Sequence, residues 1–258
     1  MDPIYARIRN RARRVALSLP MPDFYKDFPD ERTASLQIFQ TDPLVNEIKT
    51  FAYRHLNDDL GHGIKHTDLV ALDTGSLTLI EGKKKGLLPN GPNGLPRAVR
   101  IGICAALCHD IKRKEKDHAK KGAIYARQML AGYYPLSTDE INDICEAIQS
   151  HTAFKDDVKS CDSLISNCLY DADKFRWGPD NFTDTVWRMA SFFKTPLPRF
   201  IEFYPMGMET LRRIKKTFRT ETGKKYGPGF IDAGIAVGEE IFQIIQAEFM
   251  DSSFSSSP

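Results

Sequence analysis

The chain has no apolar run near the roughly 20 residues that a membrane helix needs. It also has no Cys-x-x-Cys pair, although it holds five cysteines in 258 residues. The first absence argues against a membrane-spanning segment, and the second argues against a structural zinc site built on thiolates. Unpaired cysteine usage of this kind suits a reducing compartment. The sequence therefore predicts a cytoplasmic protein that does not contact a membrane.

The chain also has little net charge, no internal repeat and no strand pattern of period two. Lys and Arg number 36 against 34 Asp and Glu, which leaves a charge of +2. A charge balance this even argues against a nucleic-acid partner. Apolar residues make up 41% of the sequence, enough for a buried core. These features favour a globular protein with a small-molecule partner, and a homo-oligomer is compatible with them.

The sequence patterns predict an all-α protein. Asp42 followed by Pro43 is typical of a helix start, and Ser137 with Glu140 forms a capping-box pattern. Glycine and proline predict a long loop between Glu81 and Arg100 and a turn at 223–229. Further helices are predicted at 118–131, near 181–193, near 198–220 and at 232–249.

A vicinal His109-Asp110 pair closes the apolar helical run 100–108. Such polar groups are costly at the end of a core helix unless something compensates them, and a divalent cation would. Adjacent helical residues point about 100° apart, so the pair can share an ion only over a helix end or in a cleft between helices. His66 upstream, with Asp171 or Asp173 downstream, can complete the ligand set.

Imidazole and carboxylate ligands together suit Zn, Mn, Fe, Co and similar ions. A site with open positions can lower the pKa of bound water towards roughly 7 and neutralise charge on a phosphoryl oxygen. His62 lies one helical turn before His66 and is the alternative first ligand. The glycines beside His62 favour a loop, so His66 is preferred.

Several segments together resemble the HD-domain metal-dependent phosphohydrolase superfamily. They span about residues 57–180. The similarity is closest to small bacterial HD hydrolases with an Asp-Ala-Asp string, here at 171–173, although the chain departs from that pattern at 174–176. The matching segments are 61–66, 105–111, 118–122, 144–154 and 169–175.

The resemblance implies an HD-domain-like helical bundle, a single domain with extra N- and C-terminal helices. Residues 1–50 would pack on a metal-binding core at 51–180, and 181–250 would complete the same domain before a disordered tail at 251–258. One divalent ion per chain is expected, of the set Mn, Zn, Ni, Co, Fe or Mg. The metal ligands carried over by the resemblance are His66, His109, Asp110 and Asp173, with Asp171 as the close alternative to Asp173.

His118 and His151 fall where binuclear members of the superfamily carry extra histidine ligands. With a single ion, they would instead act with Asp110 in catalysis, by contacting phosphate, donating a proton or orienting a neighbour. The basic segment after the ligand pair fits an anionic substrate, and Lys112 with Arg113 are the expected phosphate contacts.

The function predicted from these residues is metal-dependent hydrolysis of a phosphate mono- or diester, with nucleotides among the candidates, by metal-activated water. One alternative is an HD-type di-iron oxygenase, resembling myo-inositol oxygenase, which requires His118 and His151 as true ligands. Another is a non-catalytic nucleotide-binding regulator. The expected partner is a small phosphorylated substrate, without a membrane or nucleic acid.

Overall fold

The computed structural model describes residues 1–88, 94–154 and 163–249. Over these ranges the chain forms twelve α-helices and no strand, which confirms the all-α prediction. A 3-10 turn at Asp58–Leu60 and a π-helical turn at Asn181–Thr185 lie between helices. The helices are α1 (Pro3–Ala16), α2 (Asp23–Asp27), α3 (Pro29–Thr41), α4 (Pro43–His55), α5 (Ile64–Lys84), α6 (Leu95–Cys108), α7 (His118–Tyr133), α8 (Thr138–Ser150), α9 (Leu164–Phe175), α10 (Val186–Phe192), α11 (Leu197–Ile214) and α12 (Glu221–Glu248).

Helix α6 forms the centre of the fold. Every residue from Ile101 to Cys108 is buried, as expected of a helix that is apolar on all sides. It packs on α4, α5, α8 and α9, and α5 packs in addition on α3 and α9. The C-terminal end of α6 therefore lies inside the molecule, and the residues that follow it are delivered to the interior.

Two predicted helix starts are confirmed. The carboxylate of Asp42 accepts a hydrogen bond of 3.1 Å from the backbone N–H of Val45, and Pro43 is the first residue of α4. Ser137 and Glu140 form the reciprocal hydrogen bonds of a capping box at the start of α8. Both signals are local, because each joins residues within one helical turn.

The predicted loop between Glu81 and Arg100 is shorter than expected. Helix α5 continues to Lys84 and α6 begins at Leu95, while residues 89–93 of the predicted loop lie outside the described residues. The helix continues because Glu81 is buried and its carboxylate accepts backbone N–H groups at the start of α12. This contact comes from residues far along the chain, so local glycine content could not reveal it.

The prediction of a turn at 223–229 is wrong, since this segment belongs to α12. Two of its glycines allow close packing instead of a chain reversal. A Cβ at Gly223 would overlap the carboxylate of Asp171, and one at Gly227 would overlap the ring of Phe218. Of the other predicted C-terminal helices, 181–193 forms the π-turn with α10, 198–220 overlaps α11 but is too long because α11 ends at Ile214, and 232–249 is the second part of α12.

Terminal helices pack on the central ones. Helix α1 contacts α10 and α12, and α12 contacts α5 and α9. The division of the chain at residues 50 and 180 stays a prediction, and the tail at 251–258 lies outside the described residues. No helix within the described ranges is long and apolar enough to cross a membrane.

Candidate metal centre

Five helices bring polar side chains to one point through their ends. His66 lies in the first turn of α5, and His118 is the first residue of α7. His109 and His151 are the C-terminal cap residues of α6 and α8, and Asp173 lies in the last turn of α9. Asp110 follows His109 directly. We call the set of His66, His109, Asp110, His118, His151 and Asp173 the central cluster; apart from the half-buried His66 and His118, its members are buried.

The first part of the cluster is formed by His66, His109 and Asp173. The Nε2 atoms of His66 and His109 are 3.3 Å apart, and His66 Nε2 is 3.5 Å from Asp173 Oδ1. Asp110 Oδ2 lies 3.4 Å from His109 Nε2 and 3.9 Å from His66 Nε2. Two imidazoles and two carboxylates thus present their donor atoms to one small space.

The second part of the cluster is formed by Asp110, His118 and His151. Asp110 Oδ1 is 3.6 Å from the Nε2 atom of each histidine. The two Nε2 atoms are themselves 3.3 Å apart. Asp110 therefore lies between the two parts, with one carboxylate oxygen facing each.

Hydrogen bonds on the far side of the rings determine which ring nitrogen carries the proton. His109 Nδ1 is 2.6 Å from the carbonyl oxygen of Ala106, and His151 Nδ1 is 2.6 Å from that of Ile148. A carbonyl only accepts, so each Nδ1 donates and the Nε2 of a neutral ring holds a lone pair. Arg113 donates to His118 Nε2 over 3.1 Å, so that atom is an acceptor too.

These residues fit a bound cation. The lone pairs of His118 and His151 face each other at 3.3 Å, which is repulsive unless positive charge lies between them. Asp110 Oδ1 is buried and accepts no hydrogen bond from the described residues. Buried polar atoms are rarely left without a partner, and a cation held between this oxygen and the two imidazoles would supply one. Imidazole nitrogens with carboxylate oxygens suit divalent first-row metals.

The pKa values in the cluster show which of its side chains are already in the protonation state that binds a cation. Burial lowers the pKa of His118 to about 4, so its imidazole is neutral at physiological pH. Burial opposes ionisation of Asp110, yet its neighbours His109 and Arg113 hold its pKa well below the usual value. Burial is the largest single influence on the pKa of His109 and lowers it, but Asp110, Asp173 and the carbonyl of Ala106 together outweigh burial and leave the pKa raised. Metal ions bind neutral imidazoles and ionised carboxylates, so His118 and Asp110 are already in the binding form, while a cation at His109 Nε2 would displace a proton.

The two alternatives for the downstream aspartate lie in different places. Asp173 lies in the cluster, whereas Asp171 accepts hydrogen bonds of 2.8 Å from the backbone N–H groups of Arg219 and Thr220. Burial raises the pKa of Asp171 to about 6. Asp171 thus holds the start of α12 and is not placed to share an ion with His109.

His62 and His66 come together, although the sequence treats them as alternatives. Their ring centroids are 4.7 Å apart, and His62, His66 and Asp110 form a third set of candidate ligands. His62 Nδ1 is 2.8 Å from the carbonyl oxygen of Leu60, and burial lowers the pKa of His62 to about 3. The glycines beside it do place it in a loop, but this loop folds back over the first turn of α5.

Of the two expected phosphate contacts, Lys112 and Arg113, only Arg113 reaches the central cluster. Arg113 reaches the cluster, with its Nη1 3.8 Å from Asp110 Oδ1. Lys112 turns away: its Nζ pairs with Glu115 at 3.5 Å and lies 4.3 Å from the ring centroid of Tyr125.

One basic residue of the site was missed by the sequence analysis. The buried Lys174 lies 2.6 Å from Asp173 Oδ2 and so neutralises the carboxylate opposite His66. Its only sequence signal is its position directly after the candidate ligand, and the departure from the Asp-Ala-Asp pattern begins at this residue.

No family model and no curated protein matches the sequence. The fold is similar to a crystal structure described as a predicted HD superfamily hydrolase from an uncultured Thermotogales bacterium. The TM-score is 0.48 and the sequence identity 24%, over 83% of this chain and 98% of that chain. A similarity this distant does not establish the family, so the chemistry rests on the geometry of this chain.

Proposed function

We propose that this protein is a metal-dependent hydrolase of phosphate esters on an HD-domain-like helical scaffold. The observation that supports it most is Asp110, whose two oxygens face two separate sets of imidazole nitrogens. The donors form two sets around one carboxylate, so we propose two divalent cations where the sequence suggested one. His66, His109, Asp110 and Asp173 would hold the first cation, and Asp110, His118 and His151 the second.

Divalent cations held there would lower the pKa of a coordinated water and neutralise charge on a phosphoryl oxygen. The side chains around the cations would hold the phosphate and keep the ligands in place. Arg113 lies beside both Asp110 and His118, where its guanidinium can bind a phosphate oxygen that approaches the cluster. Lys174 compensates the charge of Asp173 and keeps that carboxylate in place.

The lone pair on His118 Nε2 changes the role proposed for this residue. A proton donor needs hydrogen at the atom that faces the substrate, but this Nε2 accepts from Arg113. His151 Nε2 is in the same state because its Nδ1 donates to Ile148. The geometry therefore supports a ligand role for both histidines over direct proton donation, with a cation taking the lone pair of His118 Nε2 in place of Arg113 and leaving the guanidinium to a phosphate oxygen.

The test combines metal analysis with a substrate screen. Phosphate release from monoesters, diesters and nucleotides would be measured with Mn, Zn, Ni, Co, Fe and Mg, for the wild type and Asp110→Asn. Loss of a carboxylate shared by both cation positions should lower kcat/KM at least about 100-fold. The matched control is Asp59→Asn, because Asp59 is exposed on a nearby turn and pairs only with the surface residue Lys114 among the described residues.

Unchanged phosphate release by Asp110→Asn would contradict the proposal, as would the absence of release by the wild type with every metal. Binding of phosphate esters without turnover would instead indicate a non-catalytic regulator. A nucleotide substrate, a cytoplasmic location, a small-molecule rather than nucleic-acid partner and compatibility with a homo-oligomer stay predictions.

A di-iron oxygenase is the second candidate, because His118 and His151 lie where that activity requires ligands. It is distinguished by the metal and by the co-substrate. Protein loaded with iron under reducing conditions would hold two irons per chain and consume oxygen, without releasing phosphate. A hydrolase would release phosphate at the same rate with and without oxygen.

A further inference from the structure

A cavity of about 300 Å³ adjoins the central cluster. His62, His66 and Arg113 form the wall on the side of the cluster. The opposite wall comes from α10, α11 and the segment between α9 and α10, and it is mainly apolar. Its side chains include those of Trp177, Phe182, Met189, Phe203, Met208 and Leu211.

The lining offers little to a polyhydroxylated ligand. It contains no aspartate or glutamate among the described residues, so no carboxylate is available to accept from a pair of sugar hydroxyls. Arg176 is already engaged, with Asp73 and Asp180 each at 2.7 Å. Thr210 donates to a backbone carbonyl of its own helix, at Met206. Asn181 adds one amide to this lining, but most of the wall offers apolar contact to an occupant.

We propose that the substrate is a phosphate monoester of an apolar alcohol, with the alcohol part lying in this cavity. This inference rests on the proposed phosphohydrolase function. The phosphate would lie at the cluster beside Arg113, and the carbon skeleton would extend towards α11. Hydrolysis breaks the P–O bond to the alcohol and forms one to the oxygen of water. A proton from that water goes to the alcohol oxygen, so the products are the free alcohol and inorganic phosphate.

The volume limits the size of the alcohol. An apolar cavity of about 150 Å³ accommodates a benzene molecule. A cavity of about 300 Å³ should accommodate roughly two fused rings, or an alkyl chain of similar volume. The aromatic side chains in the wall favour a flat ring system, which they can contact by stacking or by edge-to-face packing.

Gly207 offers a way to fill the cavity without disturbing the fold. It lies in α11, lines the cavity, and a Cβ built on it meets nothing within 4 Å. Leucine also forms helices better than glycine does. Gly207→Leu should therefore fold and narrow the cavity. Gly229→Leu is the matched control, because Gly229 lies in α12, also has free space at Cβ, and is away from the cavity.

Two measurements on the wild type, Gly207→Leu and Gly229→Leu test the proposal. The first is the ratio of kcat/KM for naphthyl phosphate to that for glycerol phosphate, with the metal that gives the highest activity. The ratio should exceed about tenfold in the wild type and the control, and should fall at least about tenfold in Gly207→Leu. The second is binding of naphthol, the free alcohol, followed by its fluorescence.

The naphthol measurement separates this inference from the proposed function. Naphthol binding that is weakened by Gly207→Leu but not by Gly229→Leu supports an apolar ligand, even if no phosphate is released. Failure of hydrolysis alone would then reject the phosphohydrolase function and not the apolar specificity of the cavity. Naphthol binding that is absent, or equal in the three proteins, overturns the inference. A wild type that hydrolyses glycerol phosphate as well as naphthyl phosphate overturns it too.

Discussion

His109 and His151 are held by the same local arrangement. Each caps the C-terminus of a helix, and each donates from Nδ1 to the carbonyl three residues earlier, in Ala106 and Ile148. That carbonyl belongs to the last turn of the helix, where backbone donors are few, and that of Ala106 accepts from the backbone N–H of His109 only over a long 3.5 Å. One hydrogen bond therefore satisfies a buried carbonyl, fixes the ring orientation and leaves Nε2 free to bind a cation.

Asp173 and Asp171 lie two residues apart in α9 and should respond differently to the same substitution. Asp173→Asn removes a negative ligand opposite His66 and should weaken metal binding. Metal affinity should fall by more than the roughly 10–100-fold that follows when a residue hydrogen-bonded to a metal ligand is lost. Titration of the metal-free protein with Zn or Mn, followed by calorimetry, measures this affinity.

Asp171→Asn serves as the control and carries its own expectation. Asp171 accepts from two backbone N–H groups and from the Thr220 hydroxyl, and an amide can replace only part of this. The free energy of unfolding should fall by about 1–3 kcal/mol in a urea titration, with metal affinity close to that of the wild type. If instead Asp171→Asn loses the metal and Asp173→Asn keeps it, the assignment of the ligand is wrong.

At the scale of the helices, the cluster is built from ends rather than faces. The C-terminal ends of α6, α8 and α9 bring partial negative charge, which favours a cation. The N-terminal ends of α5 and α7 bring partial positive charge near His66 and His118, on the side where Arg113 lies. The helices thus provide opposite polarity for a cation and for the phosphate that it would bind.

This arrangement also explains what the sequence could predict. An apolar run that stops at His109 and Asp110 is a local pattern, because the helix end and the ligands are neighbours along the chain. The helix over 223–229 was missed because Gly223 fits against Asp171 of α9 and Gly227 against Phe218 of the segment before α12, and these contacts form only when the chain packs. The cavity was missed for the same reason, since its two walls are distant in sequence.

Replacing two glycines of α12 by alanine should change the free energy of unfolding in opposite directions. Gly227→Ala places a methyl group against the ring of Phe218 and should lower the free energy of unfolding by about 1–3 kcal/mol. Gly229→Ala meets nothing within 4 Å and should raise it by up to about 1 kcal/mol. Urea denaturation of the two variants gives both values. Stabilisation by Gly227→Ala would show that the contact with Phe218 is loose.

At the scale of the whole molecule, the two proposed cations together would join five helices that come from residues 64–175. Of the helices that carry the cluster, α5 and α9 also contact the C-terminal helix α12. Metal binding should therefore stabilise the fold as a whole and not only the site. Any ligand that binds the native state but not the unfolded one raises the free energy of unfolding.

Chelation should consequently lower the melting temperature of the metal-loaded wild type. At a free metal concentration of 100 times Kd, binding of a single cation adds about 2.7 kcal/mol to the free energy of unfolding. For a chain of 258 residues, that corresponds to a fall of roughly 5–10 °C in Tm when the metal is removed. Scanning calorimetry with and without EDTA measures it, with metal removal checked by elemental analysis. Asp110→Asn, which loses the shared carboxylate, should show little change with EDTA. Because four imidazoles and two carboxylates converge in the interior, a wild type whose Tm did not change on complete metal removal would mean that protons compensate this cluster as well as cations do.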